Sequence, residues 1–163
     1  MTDEELLFCP IGGCREIGMN LNAYAYGNGA DRKWLIVDVG VTFGGLDTPG
    51  VDLIMPDTEF LESVRDDIIG IVLTHAHEDH IGAVAHLWPR LRAPLYATPF
   101  TALLIEDKLR EQQLDREVTL NVVSIGDRRQ IGPFDVEFLT LTHSIPEPNG
   151  LAIRTPLGMI FHT

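Results

Sequence analysis

Leu73-Thr74-His75-Ala76-His77-Glu78-Asp79-His80-Ile81-Gly82 sets three histidines and Asp79 within six residues. Imidazole suits zinc and neighbouring transition metals, and a carboxylate adds charge and general-base capacity. In an extended chain residues i and i+2 point the same way, so His75 and His77 can grip one ion together. Asp79 and His80 follow, where the chain turns toward a helix, and can be aimed at a second ion. Packing alone is a poor explanation of the pattern, because clustered imidazoles repel when protonated. The flanks read as scaffold: residues 68–73 as a buried strand, residues 81–91 as an amphipathic helix. A strand-to-helix loop on such a scaffold is a common place for a site.

Outward from this stretch, residues 8–13 predict a first strand ending in a glycine turn, and residues 12–20, rich in glycine, a loop suited to close backbone approach. Residues 21–26 predict a second strand, and Gly27-Asn28-Gly29 a hairpin. Residues 34–40 form a strongly apolar strand carrying Asp38. A carboxylate among hydrophobic residues is costly unless paired, so Asp38 reads either as a partner behind a metal-bound histidine or as a turn residue. A long loop, residues 43–57, holds Asp47, Asp52 and Asp57, which could gather a structural calcium or simply be solvated. Residues 58–64 predict a short helix and residues 94–97 a brief strand. Pro99 opens a helix running to about residue 114, with Leu103, Leu104 and Leu109 inward and Lys108, Arg110 and Glu111 outward. From Val118 the period changes to two, and residues 118–123, 135–141, 151–155 and 159–162 are expected to pair as one sheet. The sum predicts a mixed α/β (α+β) fold, with a sheet covered by helices on one face and a second layer on the other.

His143 stands at a strand end before a proline-containing loop, where it would complete three nitrogens around the ion held by His75 and His77. His86, within the helix after the motif, and His162 read as structural. The 163 residues suffice for one domain with a sizeable core. The acidic start, Met1-Thr2-Asp3-Glu4-Glu5, lacks the basic region of a secretory signal, and no apolar run reaches membrane-span length. Cys9 and Cys14 are too few for a disulfide framework and read as reduced thiols of a cytoplasmic protein. The net charge of −12, with only two lysines and ten arginines, opposes a polyanionic partner unless bound cations or an arginine cluster offset it.

His75-Ala76-His77-Glu78-Asp79-His80 resembles the signature of the metallo-beta-lactamase fold, a four-layer αββα sandwich. Gly12-Gly13-Cys14-Arg15-Glu16-Ile17-Gly18-Met19-Asn20, Val51-Asp52-Leu53-Ile54-Met55-Pro56-Asp57, and His143-Ser144-Ile145-Pro146 followed by Thr155-Pro156-Leu157-Gly158 look like motifs of the ribonuclease J family, within the beta-CASP group. The resemblance runs in order along essentially the whole chain. It implies a metal-dependent ribonuclease, acting 5′ to 3′ as an exonuclease, as an endonuclease, or both. It implies RNA as substrate and two divalent ions, zinc or manganese. His75, His77 and His143 would hold one ion and Asp79 and His80 the other; Asp79 would also position or deprotonate water, with Asp38 behind the site. In that family a Gly-Asp follows the position of Thr163, its Asp bridging both ions. Residues 1–163 are accordingly expected to be an N-terminal portion of the metallo-beta-lactamase domain. The beta-CASP domain, the C-terminal half and any surface for homo-oligomerisation would lie outside it. Two rivals stay open: a hydrolase of lactones or thioesters on the same scaffold, and a catalytically inert truncated fragment that binds metal weakly or serves as an interaction piece.

Overall fold

The chain, seen in a computed structural model, is described from residue 4 to residue 163. Strands β1 (Glu5–Gly12), β2 (Leu21–Gly27) and β3 (Lys33–Val37) form an antiparallel meander, with a short 3-10 turn at Gly29–Asp31 where the glycine pair predicts a hairpin. A two-residue pair, β4 (Thr42–Phe43) and β5 (Leu53–Ile54), clips the long loop. Helix α1 (Glu59–Ser63) leads to β6 (Ile68–Val72), and the motif follows with α2 (Glu78–Ile81) and α3 (Val84–Leu91). Next come β7 (Leu95–Ala97), α4 (Pro99–Glu111), β8 (Leu120–Val122), β9 (Arg128–Ile131), β10 (Phe134–Thr140), β11 (Asn149–Thr155) and β12 (Gly158–His162).

Six strands make the first sheet, in the order β1-β2-β3-β6-β7-β8, and four make the second, in the order β12-β11-β10-β9. The central strands serve two cores at once, because successive side chains leave a strand on opposite faces. Trp34 and Ile36 of β3 enter a core shared with Ile81, Leu87, Leu91, Ile105 and Leu109 of the helices. Leu35 and Val37, one residue out of phase, enter a core shared with Phe134, Val136, Phe138, Leu151 and Ile153 of the second sheet. Each such fully buried aliphatic or aromatic side chain contributes roughly 1.5–3 kcal/mol of burial free energy. The layers are therefore helices, sheet, sheet.

Three expectations need correction. Residues 118–123 do not join the second sheet: β8 pairs in parallel with β7 at the edge of the first. The second sheet takes instead β9, whose Arg-Arg-Gln lead exposes three of four residues and carries no alternation to read. The helix expected over residues 81–91 begins earlier, at Glu78, and is interrupted at Gly82 and Ala83. The Ala83 N–H is drawn away to the Val39 carbonyl at 3.0 Å, and that diversion breaks the helical ladder. In α4, Leu103 faces outward and is 56% exposed, while Ala102, Ile105 and Leu109 pack inward. The inward set lies three and four residues apart, as one helix face requires.

Candidate metal centre

The motif leaves the end of β6 as an extended turn and enters α2, a helix of only four residues. So short a helix leaves its own carbonyls largely without intrahelical donors. Neighbouring segments supply them: Val41 N–H donates to the Glu78 carbonyl, Asn20 N–H to that of Asp79 and Val39 N–H to that of His80, at 2.8–3.0 Å. Residues 38–41 and the end of the glycine loop thus hold the motif backbone in place. Gly40 permits the approach, since a β-carbon there would stand 1.7 Å from the Asp79 carbonyl oxygen.

Three imidazoles converge. His77 Nδ1 lies 3.2 Å from His75 Nε2 and 3.1 Å from His143 Nε2, and the three nitrogens fall within 4.8 Å of one another. His75 and His77 come from the loop after β6 of the first sheet, and His143 from the loop between β10 and β11 of the second. His75 is buried, His77 half-buried and His143 exposed, so the cluster opens to solvent on one side. Ligands about 2.0–2.1 Å from a tetrahedral ion stand roughly 3.3 Å apart, so the spacing of these nitrogens fits a common ion.

The ring nitrogens facing away from the cluster are held as well. The buried Asp38 carboxylate accepts from Thr74 N–H at 2.8 Å, from the Thr74 hydroxyl at 2.9 and 3.0 Å, and from His80 Nδ1–H at 2.7 Å. The Thr74 hydroxyl in turn accepts from His75 Nδ1–H at 3.0 Å. This chain fixes both tautomers, leaving a lone pair on Nε2 of His75 and of His80. His80 Nε2 looks toward Asp79 Oδ2 at 3.4 Å, and the Asn20 amide donates to that carboxylate at 3.3 Å and to the Asp79 carbonyl at 3.0 Å. Asp38 is also a turn residue, with φ 63° at the end of β3.

Electrostatics follow the geometry. Burial, helped by the charge of His80, pushes the His75 pKa down to about 4, so this ring is neutral at ordinary pH. Burial also opposes the charged form of His80, but the charge and hydrogen bond of Asp38 outweigh it and raise its pKa. Asp38 is held below the usual carboxylate range: burial works against ionisation, and His80, joined by His162 and the Thr74 N–H, more than compensates.

Asp79 and His80 face each other beside the three-histidine group without joining it. His86 is exposed on α3. His162, read from sequence as structural, accepts from or donates to the Tyr24 hydroxyl through Nδ1 at 2.8 Å and lines a cleft of about 320 Å³ with Asn20, Tyr24, Asp38 and His80. A second cleft of about 340 Å³, which also touches Asp38 and His80, is lined by Thr74, His75, His143 and Asn149. Asp47, Asp52 and Asp57 form no donor group among the described residues. Asp57 accepts from the Glu59 N–H at 3.0 Å at the start of α1. Cys9 and Cys14 are free thiols. Sequence reasoning missed Thr74 and Asn20 as parts of the site. Thr74 lies within the quoted stretch and Asn20 closes the glycine loop, so adjacency was the available signal.

Fold and site together define a protein of the metallo-beta-lactamase fold, a fold that works with divalent metal ions, and the chain belongs to that superfamily: a model of the Beta-lactamase superfamily domain matches residues 46–163. Among named relatives it is 51% identical to ribonuclease J of Sinorhizobium meliloti, over 99% of this chain and 28% of that protein. It is 43% identical to ribonuclease J of Corynebacterium glutamicum, over 94% of this chain and 21% of that protein. The chain thus spans about a quarter of the length of the curated relatives it matches. Among solved structures, a protein of unknown function from Enterococcus faecalis V583 superposes with a TM-score of 0.59, at 19% identity, covering 96% of this chain and 42% of that one. Zn(2+)-bound PqqB from Methylobacterium extorquens superposes with a TM-score of 0.53, at 14% identity, covering 82% and 45%. These two likenesses are of fold.

Proposed function

We propose that this chain is part of a metal-dependent ribonuclease that cleaves RNA as a 5′-to-3′ exonuclease, an endonuclease or both. Residues 1–163 would form the N-terminal portion of its metallo-beta-lactamase domain. The beta-CASP domain, the C-terminal half of the sandwich and any homo-oligomeric surface would lie outside this chain. The observation that carries the reading is the 51% identity, along nearly the entire chain, to a protein named ribonuclease J. The convergence of His75, His77 and His143 supports it. These three would hold one divalent ion, zinc or manganese, and Asp79 with His80 the other. Bound there, the ions would supply Lewis-acid stabilisation of a phosphodiester and a water acidic enough to ionise near neutrality. Asp38 and Thr74 would keep His80 and His75 in the tautomers that face the ions. Asp79, steadied by the Asn20 amide, would orient that water or take its proton. Among the described residues no helix is long and apolar enough to cross a membrane, and two free thiols suit a cytoplasmic setting.

A second reading, a lactone or thioester hydrolase, draws on the net charge of −12, which suits a polyanion poorly. The full-length protein offered a 5′-monophosphorylated RNA and, separately, a lactone decides between them. Release of nucleotides with no lactone turnover is expected, and the reverse pattern refutes the nuclease. Elemental analysis tests the inert-fragment reading: two equivalents of zinc or manganese per chain count against it, and none supports it.

A further inference from the structure

His143 is exposed, and its ring makes one hydrogen bond, to His77. What aims it into the cluster is the loop that carries it. The Leu141 N–H donates to the Pro148 carbonyl at 2.9 Å and closes the loop at its base. At the far side, the Glu147 carboxylate accepts from the Phe100 N–H at 2.8 Å, in the first turn of α4. Thr98, at the N-cap of α4, makes no side-chain cap hydrogen bond, so Glu147 supplies the cap from a distant part of the chain. A carboxylate is well suited to that place, where the helix dipole favours negative charge. Asn149, 3% exposed, adds the second tie: its amide donates to the Glu147 carbonyl at 2.7 Å and to the Thr74 carbonyl at 3.3 Å, beside His75. Glu147 itself sits at φ 53°, a backbone state that must be held by surrounding contacts. Helix α4 is also tied to the motif, since Lys108 Nζ meets both carboxylate oxygens of Glu78 at 2.7 and 2.9 Å. Helix α4 therefore touches both the β10–β11 loop and the start of α2, directly after the loop that bears His75 and His77.

We propose that Glu147, with Asn149, is a positioning residue that holds His143 against His75 and His77 by latching the β10–β11 loop to the first turn of α4. The inference rests on the reading of His143 as a metal donor, and goes beyond it by naming what sets its place. Loss of a group that orients a ligand typically weakens metal binding 10- to 100-fold. The test is cobalt(II) binding to the full-length protein, read by affinity and by visible absorption. Glu147→Gln keeps a hydrogen-bond acceptor and should bind within about threefold of the parent. Glu147→Met keeps the length but loses the acceptor; its binding should fall about tenfold and its absorption bands should shift. Glu147→Asp, one methylene shorter, serves if the Met variant does not fold, and should likewise bind more weakly. His143→Ala is the control. If it weakens binding while both Glu147→Met and Glu147→Asp match the parent in affinity and spectrum, the latch is wrong and the triad stands. If His143→Ala binds as the parent does, the triad reading fails and the latch with it.

Discussion

At Asp38 one side chain settles the state of two histidines. It takes hydrogen bonds from Thr74 and His80, is 1% exposed, and sits in a left-handed turn that Asn tolerates and Ala does not. Asp38→Ala should destabilise the protein by about 3–5 kcal/mol in urea unfolding, since it strands buried donors. Asp38→Asn should fold but bind added divalent metal about 10- to 100-fold more weakly by titration, because the carboxylate that orients His80 is gone. His75 predicts a pH dependence. Its folded pKa of about 4 lies below the unfolded value of about 6.5. The unfolded chain therefore takes the proton first, and stability in chelator should drop as pH falls from 6.5 to 4, by ~3 kcal/mol. His80, raised instead, contributes with the opposite sign: its share is complete below 6.5 and fades as pH climbs through its folded value. Unfolding curves of the parent and of His75→Gln, compared at pH 7, 5.5 and 4.5, isolate the His75 share, which the Gln variant should lack. The convergence of His75, His77 and His143 was legible because imidazole chemistry is written in the residue types. Thr74 and Asn20 were not, since a hydroxyl and an amide in a loop look alike whether or not they touch a site.

Elements of the first sheet near the motif could be read because both sides of β3 and β6 are apolar, and such runs have few other homes. Strand partners could not. An alternating pattern says that a strand has two faces, but not which edge it meets, and β8 went to β7 for that reason. The break between α2 and α3 was hidden too, because its cause is an amide drawn to Val39, a contact across the fold. Gly40 shows how closely these elements fit. Gly40→Ala forces the 38–41 segment off the Asp79 carbonyl. Repacking of that kind costs roughly 1–3 kcal/mol or more. The expected readout is a lower unfolding temperature in chelator together with weaker metal binding, since α2 must shift. A variant matching the parent in both would show that the contact between residue 40 and α2 is not needed.

On the scale of the whole molecule, the sequence conveyed a helix layer over a sheet with a further layer beneath, but not how the second sheet is bounded. Its β9 edge is polar, and its β12 edge exposes Met159 and Phe161. The histidine cluster sits where the layers meet, with two rings from the first sheet and one from the second. A ligand that binds only the folded state adds about 2.7 kcal/mol when present at a hundred times its dissociation constant. Zinc or manganese at that level should raise the unfolding temperature, and chelator should lower it again. An ion seated among those rings would act as a rivet driven through two plates. Withdrawing it would let the β10–β11 end of the second plate breathe away from the first, and deuterium uptake over residues 141–148 should quicken while β2 and β3 keep their pace.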